Sequence, residues 1–355
     1  MSSLSSGSFE VPDQTSFSAA PVALVTGAAG FIGSHVAQEL LAAGWRVVGL
    51  DSLNAYYDPA LKQARLDRLT LHPQFTPEIG KLEDPDRLRA LFETHRPALV
   101  IHLAAQAGVR HSIDAPRDYL EANLIGTYEL IEAARAYPPK HMLLASTSSV
   151  YGANTQMPYR ETDKVDTQMS FYAATKKANE AMAHSYAHLY GLPITMFRFF
   201  TVYGPWGRPD MAYFKFTRAI LNGDPIDVYN NGEMRRDFTY IDDLVSAIVA
   251  LSDCVPGQTP VGDHDSLSPV APFRSVNIGA NQPVALMEFI QAIETALGQP
   301  AIKNMMGMQP GDVPATWAET QLLRDLTGVS ITTDVRTGVQ RFVDWYREYY
   351  GITDG

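Results

Sequence analysis

A tyrosine and a lysine four positions apart, Tyr172 and Lys176, follow a run of hydroxyl side chains that includes Thr147. In a helix, positions i and i+4 lie on one face, so the lysine ammonium can stabilise a phenolate on the tyrosine. A hydroxyl at the end of a buried strand lies where an open α/β sheet binds its ligands. Together these side chains can accept the proton of an alcohol while that alcohol is oxidised. Such an oxidation also requires a hydride acceptor, and its binding site must be found elsewhere in the chain.

The composition limits the functions that the chain can have. It has 355 residues, a formal net charge of −11 and one cysteine, Cys254. The charge argues against nucleic acid or an anionic membrane as a partner, and a single cysteine excludes a disulfide framework and a cysteine-based zinc site. We assign no metal ligands. No apolar stretch approaches the ~18–20 residues of a membrane span, and residues 1–20 are rich in Ser and Ala without a signal-peptide pattern. We therefore expect a disordered tail over residues 1–20 and a cytoplasmic protein.

The N-terminal segment has the pattern of a dinucleotide-binding site. An apolar strand that ends at Thr26 is followed by G-x-x-G-x-x-G and then by a helical pattern. The first glycine permits a tight turn, the second lets the backbone approach a pyrophosphate, and the third brings helix against strand. A second strand ends at Asp51, whose carboxylate can bind the adenosine ribose and would repel a 2′-phosphate, so NAD is favoured over NADP. The predicted cofactor-binding residues are Gly27, Gly30, Phe31, Ile32, Gly33, Asp51, Tyr172 and Lys176.

A bound NAD also bears on the ionisation of Tyr172. Holding a phenol ionised at neutral pH costs roughly 4 kcal/mol, at about 1.36 kcal/mol per pKa unit. We expect Lys176 to supply part of this free energy and the positive charge of an oxidised nicotinamide to supply much of the rest.

Apolar strands alternate with helical patterns along most of the chain, which predicts an α/β fold. We expect a Rossmann-type doubly wound parallel sheet with a smaller mixed α/β C-terminal domain. Residues 21–201 and 237–279 are assigned to the NAD-binding domain, and residues 202–236 and 280–355 to the second, substrate-binding domain. Residues 252–274 hold many Pro, Gly, Ser and Asp and are predicted to form a long loop, a candidate cover for the site.

The glycine spacing and the Y-x-x-x-K pair resemble those of the extended short-chain dehydrogenase/reductase superfamily, which includes nucleotide-sugar epimerases and dehydratases. The resemblance covers nearly the whole chain and includes an N-x-x-G-T segment that begins at Asn123. It implies an NAD-dependent enzyme that acts on a nucleotide sugar. It also implies a homodimer, formed by the helix of Tyr172 together with a helix predicted over residues 116–136.

Two residues near the expected cofactor site are not assigned to it. His102 ends a buried strand and is interpreted as a packed histidine. Lys81 follows the third strand, where the family often has an aspartate that contacts adenine just after that strand. The adenine contact therefore stays unassigned.

Two arginines and an aspartate in the C-terminal half are the candidates for nucleotide binding. Guanidinium groups bind phosphate with planar, bidentate geometry. Arg208 and Arg236 lie in Y-G-P-x-x-R-P-D and R-D-F-x-Y segments that match those of the family. By the same resemblance, Asp312 in P-G-D would contact a uridine ribose. We expect a small-molecule UDP-sugar as the substrate.

Further segments narrow the resemblance to the UDP-glucuronate 4-epimerase family; they are N-A-Y-Y-D, R-D-F-T-Y-I-D-D and M-Q-P-G-D-V-P-A-T-W-A. Related 4,6-dehydratases have an Asp-Glu pair within the segment that matches Thr147 to Ser149, and related UDP-glucuronate decarboxylases have a glutamate at the position of Ser149. Thr201 matches a threonine of the epimerase family, whereas UDP-glucose 4-epimerases commonly have asparagine there. The resemblance implies that Ser148, Ser149 and Thr201 hold the C6 carboxylate by hydrogen bonds.

The implied reaction is the reversible 4-epimerisation of UDP-glucuronate through a 4-keto sugar. Tyr172, ionised with help from Lys176 and NAD, would take the O4 proton while Thr147 relays or orients it and C4 gives its hydride to the nicotinamide. Because the ketone lies β to the carboxylate, the site must restrain that carboxylate, with Arg208 nearby. Four alternatives stay open: a UDP-glucuronate decarboxylase, a 4-epimerase of another UDP-sugar, a dehydrogenase that releases a keto sugar, and, from a different class, a non-catalytic NAD-binding sensor.

Overall fold

A computed structural model describes residues 20–308 and 313–352. Two of the predictions therefore lie outside the described residues: the disordered tail, apart from Ala20, and the ribose contact of Asp312. Within the described ranges, strands and helices alternate as the apolar runs predict. None of the helices in these ranges is long and apolar enough to span a membrane.

Seven parallel strands form the central sheet. The strands of the chain are β1 Val22–Thr26, β2 Arg46–Asp51, β3 Phe75–Ile79, β4 Leu99–His102, β5 His141–Ala145, β6 Ile194–Phe199, β7 Thr201–Tyr203, β8 Ile226–Val228, β9 Arg235–Tyr240, β10 Phe273–Ile278, β11 Pro283–Ala285, β12 Lys303–Met305 and β13 Ala315–Thr316. The large sheet has the order β10-β6-β5-β4-β1-β2-β3, which is the doubly wound order with β10 added at one edge. The predicted fold class is confirmed. Because the order reverses between β1 and β4, ligands are expected at the carboxyl ends of these strands.

Helices cover both faces of this sheet. The helices of the described ranges, including those of the smaller region, are α1 Phe31–Ala42, α2 Pro59–Thr70, α3 Pro85–His95, α4 His111–Asp114, α5 Pro116–Tyr119, α6 Gly126–Ala136, α7 Phe171–Tyr190, α8 Ala212–Asn222, α9 Ile241–Ser252, α10 Leu286–Leu297, α11 Gln321–Thr327 and α12 Val335–Tyr350. Successive side chains of β1 enter different cores: Ala23 and Val25 pack with α1 and α9, and Leu24 packs with α3 and α6. Side chains alternate along a strand, so a sheet covered on both faces needs continuous apolar strands.

A smaller mixed region follows the large sheet. Strands β7, β9, β11 and β13 pair with one another, and β8 pairs with β12. The terminal helix α12 places Phe342, Trp345 and Tyr346 against Phe214 of α8. The assignment of the chain to two domains with the ranges given above stays a prediction.

Two elements differ from the sequence-based predictions. The helix predicted over residues 116–136 is interrupted by a π-helical segment, Leu120–Ile125, between α5 and α6. The loop predicted over residues 252–274 is present, but the described residues that line the large cavity include none of its members, so it is not a cover in this structure. A buried ion pair between Asp265 and Arg274, 2.8 Å apart, instead fixes the loop against β10.

Candidate active site

A cavity of about 650 Å³ lies at the carboxyl ends of β1, β2, β4 and β5. This is the size and place expected of a ligand site in an open α/β sheet. All eight predicted cofactor-binding residues line it, together with Arg208. The predicted site residues absent from its lining are Thr147, Ser148, Ser149, Thr201 and Arg236, among the residues that the structure describes.

The glycine turn has room for backbone alone. Gly27 has φ +74°, and a Cβ on it would lie 2.8 Å from the backbone N of Ala104. A Cβ on Gly33 would lie 2.0 Å from the carbonyl oxygen of Gly27. Helix α1 begins directly after Gly30, so its free backbone N–H groups point to the cavity and can bind a pyrophosphate. These residues fit a dinucleotide such as NAD.

Asp51, at the end of β2, is held at the edge of the same cavity. Its carboxylate accepts hydrogen bonds from the backbone N of Ala29 at 3.0 Å and of Leu53 at 2.8 Å. Lys81 also lines the cavity, and the backbone N of Gly80 donates to the carbonyl oxygen of Asp51 at 3.0 Å. The side of the cavity next to Asp51 is therefore suited to an adenosine, although no residue is assigned to the adenine ring.

Helix α7 places Tyr172 and Lys176 in the cavity. The helix begins after Ser170, whose side chain accepts a hydrogen bond from the backbone N of Ala173 at 3.1 Å. Lys176 is buried; its Nζ donates to the carbonyl oxygen of Ala145 at 2.9 Å, and burial lowers its pKa to about 8. One turn earlier, Tyr172 lines the cavity.

The surroundings of Tyr172 have opposing effects on its pKa. Burial raises the pKa of Tyr172, while a hydrogen bond with Thr147 and the positive charge of Arg208 act in the lowering direction. The net effect of these three influences is a raised pKa of Tyr172, whereas an ionised base requires a lowered one. A positive charge on a bound oxidised nicotinamide would act in the required direction. Among the cations of the chain, Arg208 acts to lower the pKa of this phenol.

The hydroxyl segment after β5 forms a short 3-10 turn over Ser148–Tyr151. Thr147 caps this turn: its Oγ1 accepts a hydrogen bond from the backbone N of Ser149 at 3.2 Å and lies 3.3 Å from the Ser149 hydroxyl. Ser148 and Ser149 are half-buried. The side chain of Thr147 also acts to lower the pKa of Tyr172, so this segment influences the tyrosine.

Two predicted sugar-nucleotide residues lie on the small sheet, apart from the cavity lining. Thr201 begins β7 and is half-buried, two residues after Phe199, which does line the cavity. Arg236 lies on β9, and its Nη1 donates to the carbonyl oxygen of Arg235 at 3.0 Å.

Arg208 is paired with a carboxylate. Its Nε donates to Oδ1 of Asp210 at 3.0 Å, and the hydroxyl of Tyr56 donates to Oδ2 of the same residue at 3.3 Å. Although burial opposes it, Arg208 holds the pKa of Asp210 below its usual range. Arg208 is therefore oriented by Asp210 and still reaches the cavity, where it can bind an anion.

Sequence reasoning missed Arg65 of α2, which is fully buried. Its guanidinium donates to the carbonyl oxygens of Trp206 at 2.6 Å, Gly207 at 2.9 Å and Ala29 at 3.2 Å, and to the hydroxyl of Tyr57 at 2.7 Å. Arg65 thus connects the glycine turn to the loop that carries Arg208. In the sequence it is one more charge on an amphipathic helix, with no motif to mark it.

Asn123 begins the N-x-x-G-T segment, and the sequence predicts no individual role for it. Its side-chain oxygen accepts a hydrogen bond from the backbone N of Gln106 at 2.8 Å, and its amide donates to Thr175 at 3.0 Å. It therefore fixes the loop after β4 against α7.

His102 is packed as expected: it contacts Thr26 and Thr127 at 2.7 and 3.0 Å, and burial lowers its pKa to about 3. The described ranges contain no group of three or more His, Cys, Asp or Glu side chains placed to bind a metal ion.

The comparison with known proteins agrees with this geometry. Residues 23–260 match the model of the NAD dependent epimerase/dehydratase family. A probable UDP-glucuronate 4-epimerase of Rhizobium meliloti (strain 1021) is 54% identical over 331 residues, which are 92% of this chain and 97% of the relative. UDP-glucuronate 4-epimerase 1 of Arabidopsis thaliana is 46% identical, over 92% of this chain and 77% of the relative.

Among solved structures, UDP-glucuronic acid 4-epimerase from Bacillus cereus in complex with UDP-glucuronic acid and NAD superposes with a TM-score of 0.83. The two chains are 31% identical, and the match covers 93% of this chain and 100% of the other. The chain therefore belongs to the NAD dependent epimerase/dehydratase family.

Proposed function

We propose that this protein catalyses the reversible 4-epimerisation of UDP-glucuronate to UDP-galacturonate through a 4-keto intermediate, using tightly bound NAD. Relatives that are named for this activity support the proposal, because they match nearly the whole chain. The observation that carries it is the geometry at Tyr172. This tyrosine lines one cavity with a dinucleotide-type glycine turn, and the side chain of Thr147 acts to lower its pKa; Thr147 begins a segment of hydroxyl side chains without a carboxylate.

The cofactor would be held by the glycine turn, the N-terminus of α1 and Asp51. When bound, NAD supplies a hydride acceptor and donor for C4 of the sugar. Asp51 keeps a carboxylate beside the ribose position, which favours a ribose hydroxyl over a 2′-phosphate.

Tyr172 is the proposed acid and base. As a phenolate it accepts the proton of the sugar O4, and it returns the proton when the ketone is reduced. The side chain of Thr147 acts to lower the pKa of this phenol, and the buried ammonium of Lys176, one turn along α7, donates to the carbonyl oxygen of Ala145 at 2.9 Å. The sugar must turn over between the two hydride transfers, because inversion requires the hydride to return to the opposite face of C4.

The 4-keto sugar is a β-keto acid and loses CO2 when its C5–C6 bond aligns with the ketone π system. We assign the restraint of the carboxylate to Ser148, Ser149 and Thr201, with Arg208 beside them. Hydroxyl groups can donate to a carboxylate without adding negative charge to the site. The lack of a carboxylate at Ser149 distinguishes this chain from the decarboxylase pattern.

The remaining assignments concern the nucleotide and the assembly. Arg208 and Arg236 would bind the diphosphate, and Asp312 the uridine ribose. A homodimer is supported by apolar side chains that are exposed on the α5–α6 segment and on α7; they include Leu120, Ile125, Tyr128, Phe171 and Tyr190. We also assign the protein to the cytoplasm, and the ranges 21–201 with 237–279 and 202–236 with 280–355 to the cofactor and the nucleotide sugar.

Proton NMR of the purified protein with UDP-glucuronate and no added cofactor tests the proposal. UDP-galacturonate with all carbon retained is the expected product. A UDP-pentose or its 4-keto form, with CO2, would instead identify a decarboxylase. Net NADH formation that depends on added NAD would identify a dehydrogenase, and turnover of UDP-glucose alone would identify an epimerase of neutral sugars.

Tyr172→Phe is the matched control for that experiment, because it removes one hydroxyl and keeps the ring. We expect it to retain NAD and to lose about 10²- to 10⁴-fold in kcat, the usual contribution of a general acid–base group. Unchanged turnover in this variant would reject Tyr172 as the base. A non-catalytic sensor would show no turnover in either protein.

A further inference from the structure

A buried ion pair joins helix α7 to strand β6 behind the cavity. Arg198 on β6 donates through Nε and Nη2 to the two carboxylate oxygens of Glu180 on α7, at 2.9 and 3.0 Å. Their side chains are 4% and 5% exposed. Buried ion pairs contribute little net stability in comparison with well-packed apolar side chains. The pair therefore calls for a role other than stability.

Glu180 holds one end of the hydroxyl segment. The Ser146 hydroxyl donates to Oε1 of Glu180 at 2.7 Å, and Ser146 lines the cavity. One turn earlier on α7, Lys176 donates to the carbonyl oxygen of Ala145. Although burial opposes it, Arg198 holds the pKa of Glu180 below its usual range, so this carboxylate stays an acceptor for Ser146.

Arg198 holds the other end of the same segment. Its Nη1 donates to the hydroxyl of Tyr151 at 3.0 Å, and its guanidinium carbon lies 4.9 Å from the centre of the Tyr151 ring. Tyr151 is fully buried and donates in turn to Oδ1 of Asn277 at 2.7 Å. Tyr151 ends the 3-10 turn that begins at Ser148.

We propose that Glu180 and Arg198 are positioning residues that fix both ends of the segment from Ser146 to Tyr151 and so suppress loss of CO2 from the 4-keto sugar. This inference rests on the proposed function. The pair has no direct part in the reaction; it acts through Ser146 and Tyr151. Between these two residues lie Thr147, which is assigned to the base, and Ser148 and Ser149, which are assigned to the carboxylate.

Loss of CO2 from the 4-keto sugar requires no reactant other than water. The C5–C6 bond breaks, its electron pair enters the C4 ketone to form an enolate, CO2 leaves, and C5 later takes a proton from water. The rate depends on the angle between the breaking bond and the ketone π system. A shift of the hydroxyl segment by about 1 Å changes that angle, and displacements of this size can change rates by about 10²-fold.

The test measures the partition of one intermediate. UDP-glucuronate labelled with ¹³C at C6 is turned over by the wild type, by Arg198→Lys and by Tyr151→Phe, and the ratio of labelled CO2 to labelled UDP-galacturonate is recorded. Lysine keeps the charge of Arg198 but cannot bind Glu180 and Tyr151 together. We expect both variants to raise the ratio about tenfold or more, with a KM close to that of the wild type.

Arg274→Lys is the matched control. Arg274 forms an equally buried bidentate pair with Asp265, but that pair fixes the loop before β10, away from the cavity. Its variant should keep the wild-type ratio, because a loss of a buried pair by itself does not change the geometry of the sugar. An increase in this variant equal to that in Arg198→Lys would overturn the proposal.

Failure of the inference can be separated from failure of the proposed function. A wild type that forms no UDP-galacturonate would reject the function. A wild type that epimerises, with an unchanged ratio in Tyr151→Phe, would reject the inference alone. Tyr151→Phe decides the matter where Arg198→Lys does not fold, since it removes a single hydroxyl and leaves the ion pair in place.

Discussion

The cofactor side and the sugar side of the cavity are held in place in different ways. On the cofactor side, Ala29 and Asp51, 22 positions apart, are joined by a backbone-to-carboxylate hydrogen bond. On the sugar side, Arg65 holds the carbonyl oxygen of Trp206, 141 positions away. Backbone geometry within one strand–turn–helix unit makes the first side, and side-chain contacts between distant segments make the second. We therefore expect substitutions on the cofactor side to act through steric clashes. Substitutions on the sugar side should act by leaving buried polar groups without a hydrogen-bond partner.

Gly33→Ala should have the largest effect and should act on the cofactor side. The added Cβ would lie 2.0 Å from the carbonyl oxygen of Gly27. Because this oxygen belongs to the backbone, no movement of a side chain can relieve the clash. We expect roughly 2–3 kcal/mol of strain, which would weaken NAD binding by roughly 30- to 150-fold. The measurement is the fraction of purified protein that carries NAD, together with its dissociation constant by titration.

Gly257→Ala is the control for added bulk, because a Cβ there meets no atom within 4 Å and the backbone angle is ordinary. Full NAD retention by Gly257→Ala is expected. Equal NAD retention by Gly33→Ala and the wild type would show that the turn can relax. It would contradict the expectation that substitutions on the cofactor side act through steric clashes.

The same difference decides how much of the molecule the sequence predicts. The glycine turn, Asp51 and the Tyr172–Lys176 pair were predicted because each lies within one local unit whose spacing is set by strand and helix geometry. The apolar strands likewise predict the parallel sheet, since side chains on both faces are buried. The structure brings all of these residues to one cavity.

The residues that the sequence does not predict bind partners that are distant in the chain. Arg65 and Glu180 have no local motif, and their partners lie on other elements; an isolated charge in a helix pattern is usually exposed. The π-helical segment that contains Asn123 was also missed, because a π segment has nearly the same apolar spacing as the helix around it. Asp210 was recognised as part of a motif, but its pairing with Arg208 depends on how the loop folds.

Arg65→Met tests the sugar side and should have the next largest effect. Methionine fills part of the same space but leaves the carbonyl oxygens of Trp206 and Gly207 without their donor. A buried acceptor without a partner costs about 1–3 kcal/mol, so we expect the free energy of unfolding to fall by about 3 kcal/mol. We also expect kcat/KM to fall about tenfold, since the loop that orients Arg208 loses its support.

Arg68→Met provides the comparison on the same helix. Arg68 is exposed and its guanidinium lies 4.5 Å from the centre of the Trp206 ring, so it contacts the same loop from outside. Chemical denaturation should show a change below about 1 kcal/mol for this variant. Similar losses in the two variants would mean that packing on Trp206, rather than the buried hydrogen bonds, supports the loop.

Asp210→Asn should have the smallest effect, and it is a shift in pH dependence. Arg208 lowers the pKa of Tyr172 against the larger effect of burial, and Asp210 offsets part of the positive charge of Arg208. Removing the negative charge therefore lowers the pKa of Tyr172 further. Because the phenolate is the active base, kcat rises as pH rises through that pKa, and the acid limb of the profile should move to lower pH by about half a unit to one unit.

Tyr56→Phe separates charge from orientation in that experiment. The Tyr56 hydroxyl donates to Oδ2 of Asp210 at 3.3 Å, so its loss changes a hydrogen bond of the carboxylate and no charge. The acid limb should stay within about 0.2 units of the wild type, because a neutral substitution leaves the field of Arg208 nearly unchanged. If Asp210→Asn also leaves the limb in place while raising KM, the pair only orients Arg208. The sugar side would then act through geometry alone, as the cofactor side does.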